Sequence, residues 1–182
     1  MKPALLPLLP VVLLVAAGCA PGGGEADALL REHGLEDAST QEVVERLDAT
    51  HEDRDSGLIG SVGYDEVVLT DGGSRTVLPM PEDEFYLAVA PWTITTHECF
   101  QHNLAGCQGE LVGADLDVRI TDGSGAVLVD EAVTTHANGF AGFWLPKDIA
   151  GTIEISSAAG SATSEFSTAE DSPTCLTTMR LV

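Results

Sequence analysis

Two imidazoles and two thiols fall within eleven residues, His97-Glu98-Cys99-Phe100-Gln101-His102-Asn103-Leu104-Ala105-Gly106-Cys107, in a chain that has 5 His and 4 Cys altogether. On a strand, the two-residue period points His97 and Cys99 to one side, and a turn can return His102 and Cys107 to it. A further thiol, Cys175, opens the last expected strand. Soft thiolate sulfur with imidazole help selects monovalent copper or zinc over calcium or magnesium. Three thiolates suit trigonal Cu(I); a structural zinc site takes a fourth ligand, for which His97 or His102 is at hand. Chemistry alone leaves the two ions even. Two other readings compete with a metal site. One is a structural domain stapled by a Cys99–Cys107 disulfide, with both histidines exposed. The other is a thiol-disulfide protein in which those two cysteines exchange electrons with a partner, although no C-x-x-C motif is present. The readings are compatible, because thiols that can oxidise to a disulfide can also reduce Cu(II) and release bound copper.

The elements that position these residues follow from the rest of the chain. Met1 to Gly18 has one charge, Lys2, then an apolar run from Ala4 to Ala17 interrupted by Pro7 and Pro10, too short for a spanning helix. It reads as a signal peptide (1–18), and Val15-Ala16-Ala17-Gly18-Cys19 resembles a lipobox that would place a lipid on Cys19 and leave the protein anchored at the outer face of the cytoplasmic membrane or elsewhere in the cell envelope. Export puts the chain where disulfides are permitted. A glycine-rich tether (19–24) precedes a short helical zone (25–56). Ala28 to His33 reads as one helix stopped by Gly34. Ser39 starts a second in capping-box spacing with Glu42, and its apolar stripe is Val43, Val44 and Leu47. From 57 to 182 the pattern is alternation with turn signals: Asp71-Gly72-Gly73 between two apolar runs, Phe85 to Ala90, alternating Leu116, Val118 and Ile120, and strands at Ala126–Val133, Gly139–Leu145, Gly151–Ser156, Thr163–Ser167 and Cys175–Leu181. The fold class is mainly β, an antiparallel immunoglobulin-like or transthyretin-like sandwich with a short α-helical N-terminal zone.

Charge and motifs exclude other classes. With 8 Lys and Arg against 29 Asp and Glu, the net charge is −21, and no basic patch exists to meet nucleic acid or anionic headgroups; membrane contact is through the lipid anchor only. No serine-nucleophile, phosphate-loop or paired-carboxylate signature is present, so the chain is not expected to be an enzyme. His136 is expected in an exposed turn, His33 and His51 on the surface, Met179 in the core, and Trp92 and Trp144 filling the sandwich. Met179 lies an even number of residues beyond Cys175 and could share its face, and Trp92 precedes the His-Cys segment closely enough to shield a metal. Glu52, Asp53 and Asp55 lack a full calcium-loop pattern.

The run His97 to Leu111, the later Asn138-Gly139-Phe140 and Trp144-Leu145-Pro146, and the terminal Asp171-Ser172-Pro173-Thr174-Cys175-Leu176-Thr177-Thr178 closely resemble the CueP family of bacterial envelope copper-binding proteins. The resemblance extends from Gly57 to the C-terminus and also fits the helical zone. It implies copper bound by Cys99, Cys107 and Cys175 with histidine beside them, and so favours copper over zinc, the competitor that donor chemistry leaves open. It implies, too, a role in copper resistance or in copper supply to an exported client cuproenzyme, and pairing of two chains through the N-terminal zone. The lipobox departs from the soluble members of the family.

Overall fold

Turn chemistry and strand parity account for most of the architecture. The computed structural model describes residues 23–51 and 56–182. The leader, Cys19, most of the tether and the acidic trio Glu52, Asp53 and Asp55 lie outside the described residues. No helix among the described residues is long and apolar enough to cross a membrane.

Helix α1 (Gly23–Glu32) begins five residues before the expected Ala28 and ends just ahead of Gly34, which takes φ +66°. Helix α2 (Thr40–Asp48) starts on the expected capping box: Ser39 Oγ accepts from the Glu42 amide, and the Ser39 amide donates to the Glu42 carboxylate. Strands β1 (Ile59–Val62), β2 (Glu66–Asp71) and β3 (Ser74–Pro79) form an antiparallel sheet in that order. Its β2–β3 hairpin closes on Gly72 and Gly73, both at positive φ, as a two-residue turn of matching twist requires. Strand β1 has no counterpart in the sequence reading; four residues including a glycine give too short a pattern.

Strand β4 (Glu84–Val89) is the centre of the molecule. It pairs antiparallel with β7 (Ala141–Pro146) and parallel with the short β10 (Cys175–Leu176). Its alternate residues serve two different cores, which is why the run is apolar throughout. Phe85, Leu87 and Val89 face the sheet of β6 (Val127–Thr134), β5 (Asp115–Asp122), β8 (Ala150–Ser157) and β9 (Gly160–Ser167), packing on Leu116, Val118, Ile120, Ile153 and Ile155. Tyr86 and Ala88 face the opposite way, onto a second core built from α1, α2 and the β1–β3 sheet. The molecule is mainly β, with its helices confined to the N-terminal zone.

Several expectations are corrected here. The last strand ends at Leu176 rather than Leu181. Thr177 turns aside, its hydroxyl donating to the His97 carbonyl and its own carbonyl accepting from Thr96 Oγ1, and the ladder resumes only as an isolated bridge between Trp92 and Arg180. Strand parity is lost in that detour, so Met179 packs in the sandwich core with Leu176 while Cys175 faces the other core. Trp144 is not in the sandwich core but on the helical side, tilted against Tyr86 and donating from Nε1 to Glu45 of α2. Trp92 also stays out of the core: it is half-buried beneath the Arg180 guanidinium. His33 is largely buried and pairs with Asp71 at the hairpin turn, 2.9 Å away; His51 and His136 are exposed as expected.

Candidate metal centre

The His-Cys segment is irregular rather than a strand, and it is held by hydrogen bonds to its neighbours. His102 and Leu104 zip onto β1: the Val62 amide donates to the His102 carbonyl, and the Leu104 amide to the Gly60 carbonyl. Asn103 adds its side-chain carbonyl to the Gly60 amide and accepts the amides of Gly106 and Cys107, forming the turn that brings Cys107 back. Thr174 is the knot. Its hydroxyl accepts from the His102 amide and donates to the Val62 carbonyl; its amide donates to Phe100, and its carbonyl accepts from Ala88 of β4. The next residue is Cys175, opposite Ala88 in the parallel register, so its sulfur emerges beside His102.

One ligand atom from each of Cys99, His102, Cys107 and Cys175 lies within 4.8 Å of all the others. Cys99 and Cys175, 76 residues apart in sequence, are joined as a disulfide, and Cys107 is a free thiol with its sulfur 3.7 Å from that of Cys99. The structural alternative named Cys99–Cys107 as the staple; the bond is instead Cys99–Cys175, because the β10 register delivers Cys175 to the same spot. His102 Nδ1 lies 3.7 Å from the Cys175 sulfur. His97 is outside this cluster. It is half-buried at the rim, with its ring edge toward Phe140 and its Nε2 enclosed without a hydrogen-bond partner. It lines both clefts that flank the sulfurs, one leading to Cys107 and one, shared with Trp92, leading to Cys99.

Behind the sulfurs stands a buried polar group that the sequence reading missed. Asp48, the last residue of α2, is fully buried; it lies 2.6 Å from His102 Nε2 and accepts from Tyr86 Oη at 2.5 Å and from Asn138 Nδ2 at 2.7 Å. Burial by itself opposes its charge, but the His102 hydrogen bond and positive ring, with Tyr86 and Asn138, hold the carboxyl below its usual range. Burial also opposes a charged His102, yet the hydrogen bonds to Asp48 and to the Cys107 thiol raise it to about 9. The Cys107 thiol is pushed up by burial and pulled down further by His102 and by the Asn103 backbone, and ends below its ordinary value. Asp48 was legible as an acid at the i+4 position after Val44, on the apolar stripe of α2.

A second device fixes the loop in front. Glu110 accepts from the amides of Thr93, Ile94 and Thr95 and from Thr93 Oγ1, a nest of donors around one carboxylate. These bonds depress Glu110 to about 2, from an ordinary value near 4.5. A depressed carboxyl contributes stability above its unfolded value that is lost as pH falls through the folded one. The Ile94 and Thr95 amides are therefore expected to stay protected from hydrogen exchange at pH 4 and to lose protection near pH 2. In Glu110→Gln they lose it at every pH; equal exchange in both proteins would dispose of the clasp.

The fold and site are those of a mainly β protein with a cysteine–histidine cluster able to hold a metal. The family described as periplasmic copper-binding protein CueP matches residues 42–180, and the chain belongs to it. Its match takes in α2 from Glu42 onward and therefore Asp48. The crystal structure of S.CueP is similar at 38% sequence identity with a TM-score of 0.83, over 90% of this chain and 100% of that one. No curated protein matches the chain.

Proposed function

We propose that this chain sequesters Cu(I) in the cell envelope through the thiolates of Cys99, Cys107 and Cys175, with His102 Nδ1 as the nitrogen beside them, and acts as a binding protein rather than an enzyme. The observation that carries this reading is the gathering of three sulfurs and one imidazole from distant segments within 4.8 Å. Three soft donors favour the monovalent ion, and three sulfurs with one nitrogen make zinc its competitor. The site loads in its reduced form. Forming the Cys99–Cys175 disulfide releases two electrons and two protons, enough to convert two Cu(II) ions to Cu(I), which gives the same sulfurs a reductive role when divalent copper arrives. A lipid on Cys19 would keep this activity at the membrane, where copper is either held for resistance or passed to a membrane-proximal client.

Reduced, metal-free protein under anaerobic conditions is expected to take one Cu(I) per chain from a chromophoric Cu(I) chelator and to prefer it to Zn(II). Each single Cys→Ser change at 99, 107 or 175 should weaken binding by about 100-fold, ~2.7 kcal/mol. Undiminished stoichiometric binding in the triple Ser variant would end the proposal.

A further inference from the structure

The free thiol and the disulfide stand in a relation that copper binding does not require. Cys107 Sγ is 3.7 Å from Cys99 Sγ, which is already bonded to Cys175. The ring of His102 has Nδ1 3.7 Å from Cys175 Sγ, and one of its ring nitrogens lies within 4.8 Å of the Cys107 sulfur. Attacking sulfur, central sulfur, leaving sulfur and a proton carrier are thus gathered in one cluster.

We infer that the oxidised protein carries out an internal thiol–disulfide exchange in which Cys99 is the shared centre of two alternating disulfides, Cys99–Cys175 and Cys99–Cys107. The Cys107 sulfur, as thiolate, attacks Cys99; the Cys107–Cys99 bond forms as the Cys99–Cys175 bond breaks, and its electron pair leaves on Cys175. The proton given up by Cys107 is taken up and released at His102 Nδ1, since Nε2 is held by Asp48, and ends on Cys175 3.7 Å away. Cys107 is oxidised to the disulfide level, Cys175 is reduced to the thiol, and no outside oxidant or reductant is consumed. Cys107 is placed to attack because its sulfur lies 3.7 Å from Cys99 Sγ, with the His102 imidazole in the same cluster to take its proton.

The two isomers place the free thiol differently. Cys175 is 2% exposed, whereas Cys107 is half-buried and lines the cleft formed with Thr95, Thr96, His97 and Asn103. Exchange therefore moves the disulfide from the interior to the cleft, where a small thiol can reach it, and returns the buried sulfur to its reduced state.

The test uses the full oxidised chain without metal, so a failure of copper binding leaves it standing and its own failure leaves copper binding untouched. Protein held at neutral pH is quenched and unfolded in acid, tagged with dithiodipyridine, digested and mapped by mass spectrometry. The tag is expected on both Cys107 and Cys175, with about a tenth or more on the minor site, and not on Cys99; a tenfold ratio corresponds to isomers about 1.4 kcal/mol apart. Each isomer, separated in acid and returned to neutral buffer, should regenerate the same ratio. In Cys107→Ser only Cys99–Cys175 should form, and in Cys175→Ser only Cys99–Cys107. Tag confined to Cys107, an isolated isomer that persists unchanged for hours, or substantial tag on Cys99 would each overturn the inference.

Discussion

Replacing Asp48 by alanine is expected to cost the metal-free protein about 3–5 kcal/mol of stability, the loss typical of removing one partner from a buried ion pair. The carboxylate is the only described partner of three separate buried groups: the His102 Nε2, the Tyr86 hydroxyl and the Asn138 amide nitrogen. Without it, burial would drive the His102 ring toward its neutral form beside Phe140, 4.6 Å between ring centroids, and would leave Nε2, the Tyr86 hydroxyl and the Asn138 amide without the carboxylate. Asp48→Asn keeps the shape and removes the charge, and it gives a pH signature that a packing defect would not. In the native chain His102 is raised from 6.5 to about 9, so its contribution is complete below pH 6.5 and is lost as pH climbs through 9. Asp48 is lowered, so its own contribution is present above its unfolded value near 3.8 and is lost as pH falls through the folded one. The depressed Cys107 thiol titrates in the same window with the opposite sign, so denaturant melts between pH 6 and 10 are compared on a Cys107→Ser background, where stability should fall with Asp48 present and stay nearly flat with Asp48→Asn. No slope with Asp48 present on that background would mean that His102 is not held charged.

The parts of this molecule that could be read from sequence are those governed by local rules. The Ser39–Glu42 box, the Asp71-Gly72-Gly73 turn and the alternation along Leu116, Val118 and Ile120 each depend on residues a few positions apart, and each forms as expected. The three sulfurs were legible as a set through their resemblance to the family, and the structure gathers them. Their pairing was not legible, because it depends on which β4 residue lies opposite Cys175, a register set by tertiary contacts such as those of Thr174. Parity reasoning failed for Met179 for the same cause: it assumes an unbroken strand, and Thr177 leaves the ladder to bond the His97 segment. The Asp48 group escaped because its members come from a helix, a strand, a loop and a turn that no local pattern connects. Tyr86 in an apolar strand and Asn138 in a turn look unremarkable alone; only burial of all four side chains together marks them.

Gly142→Ala on β7 is expected to be damaging out of proportion to one methyl group. A Cβ at Gly142 would lie 1.8 Å from Tyr86 Oη and 2.3 Å from its Cζ, since the Tyr86 ring crosses the glycine on its way to Asp48. An exposed tyrosine would swing aside. This one is 2% exposed, tilted against Trp144 at 4.9 Å and bonded to a buried carboxylate, so moving it loses packing and a charge-assisted hydrogen bond together. Overpacking of this kind costs about 1–3 kcal/mol and a hydrogen bond to a charged group about 1.5–3 kcal/mol, for a combined loss on the order of 3–5 kcal/mol. Tyr86→Phe separates the two contributions, since it removes the hydrogen bond and keeps the ring. On a Tyr86→Ala background the same Gly142→Ala change should become nearly neutral, because the methyl then occupies space the ring has vacated. Equal cost on both backgrounds, measured by denaturant unfolding, would show that Gly142 is kept for some reason other than the passage of Tyr86 to the residue that holds His102.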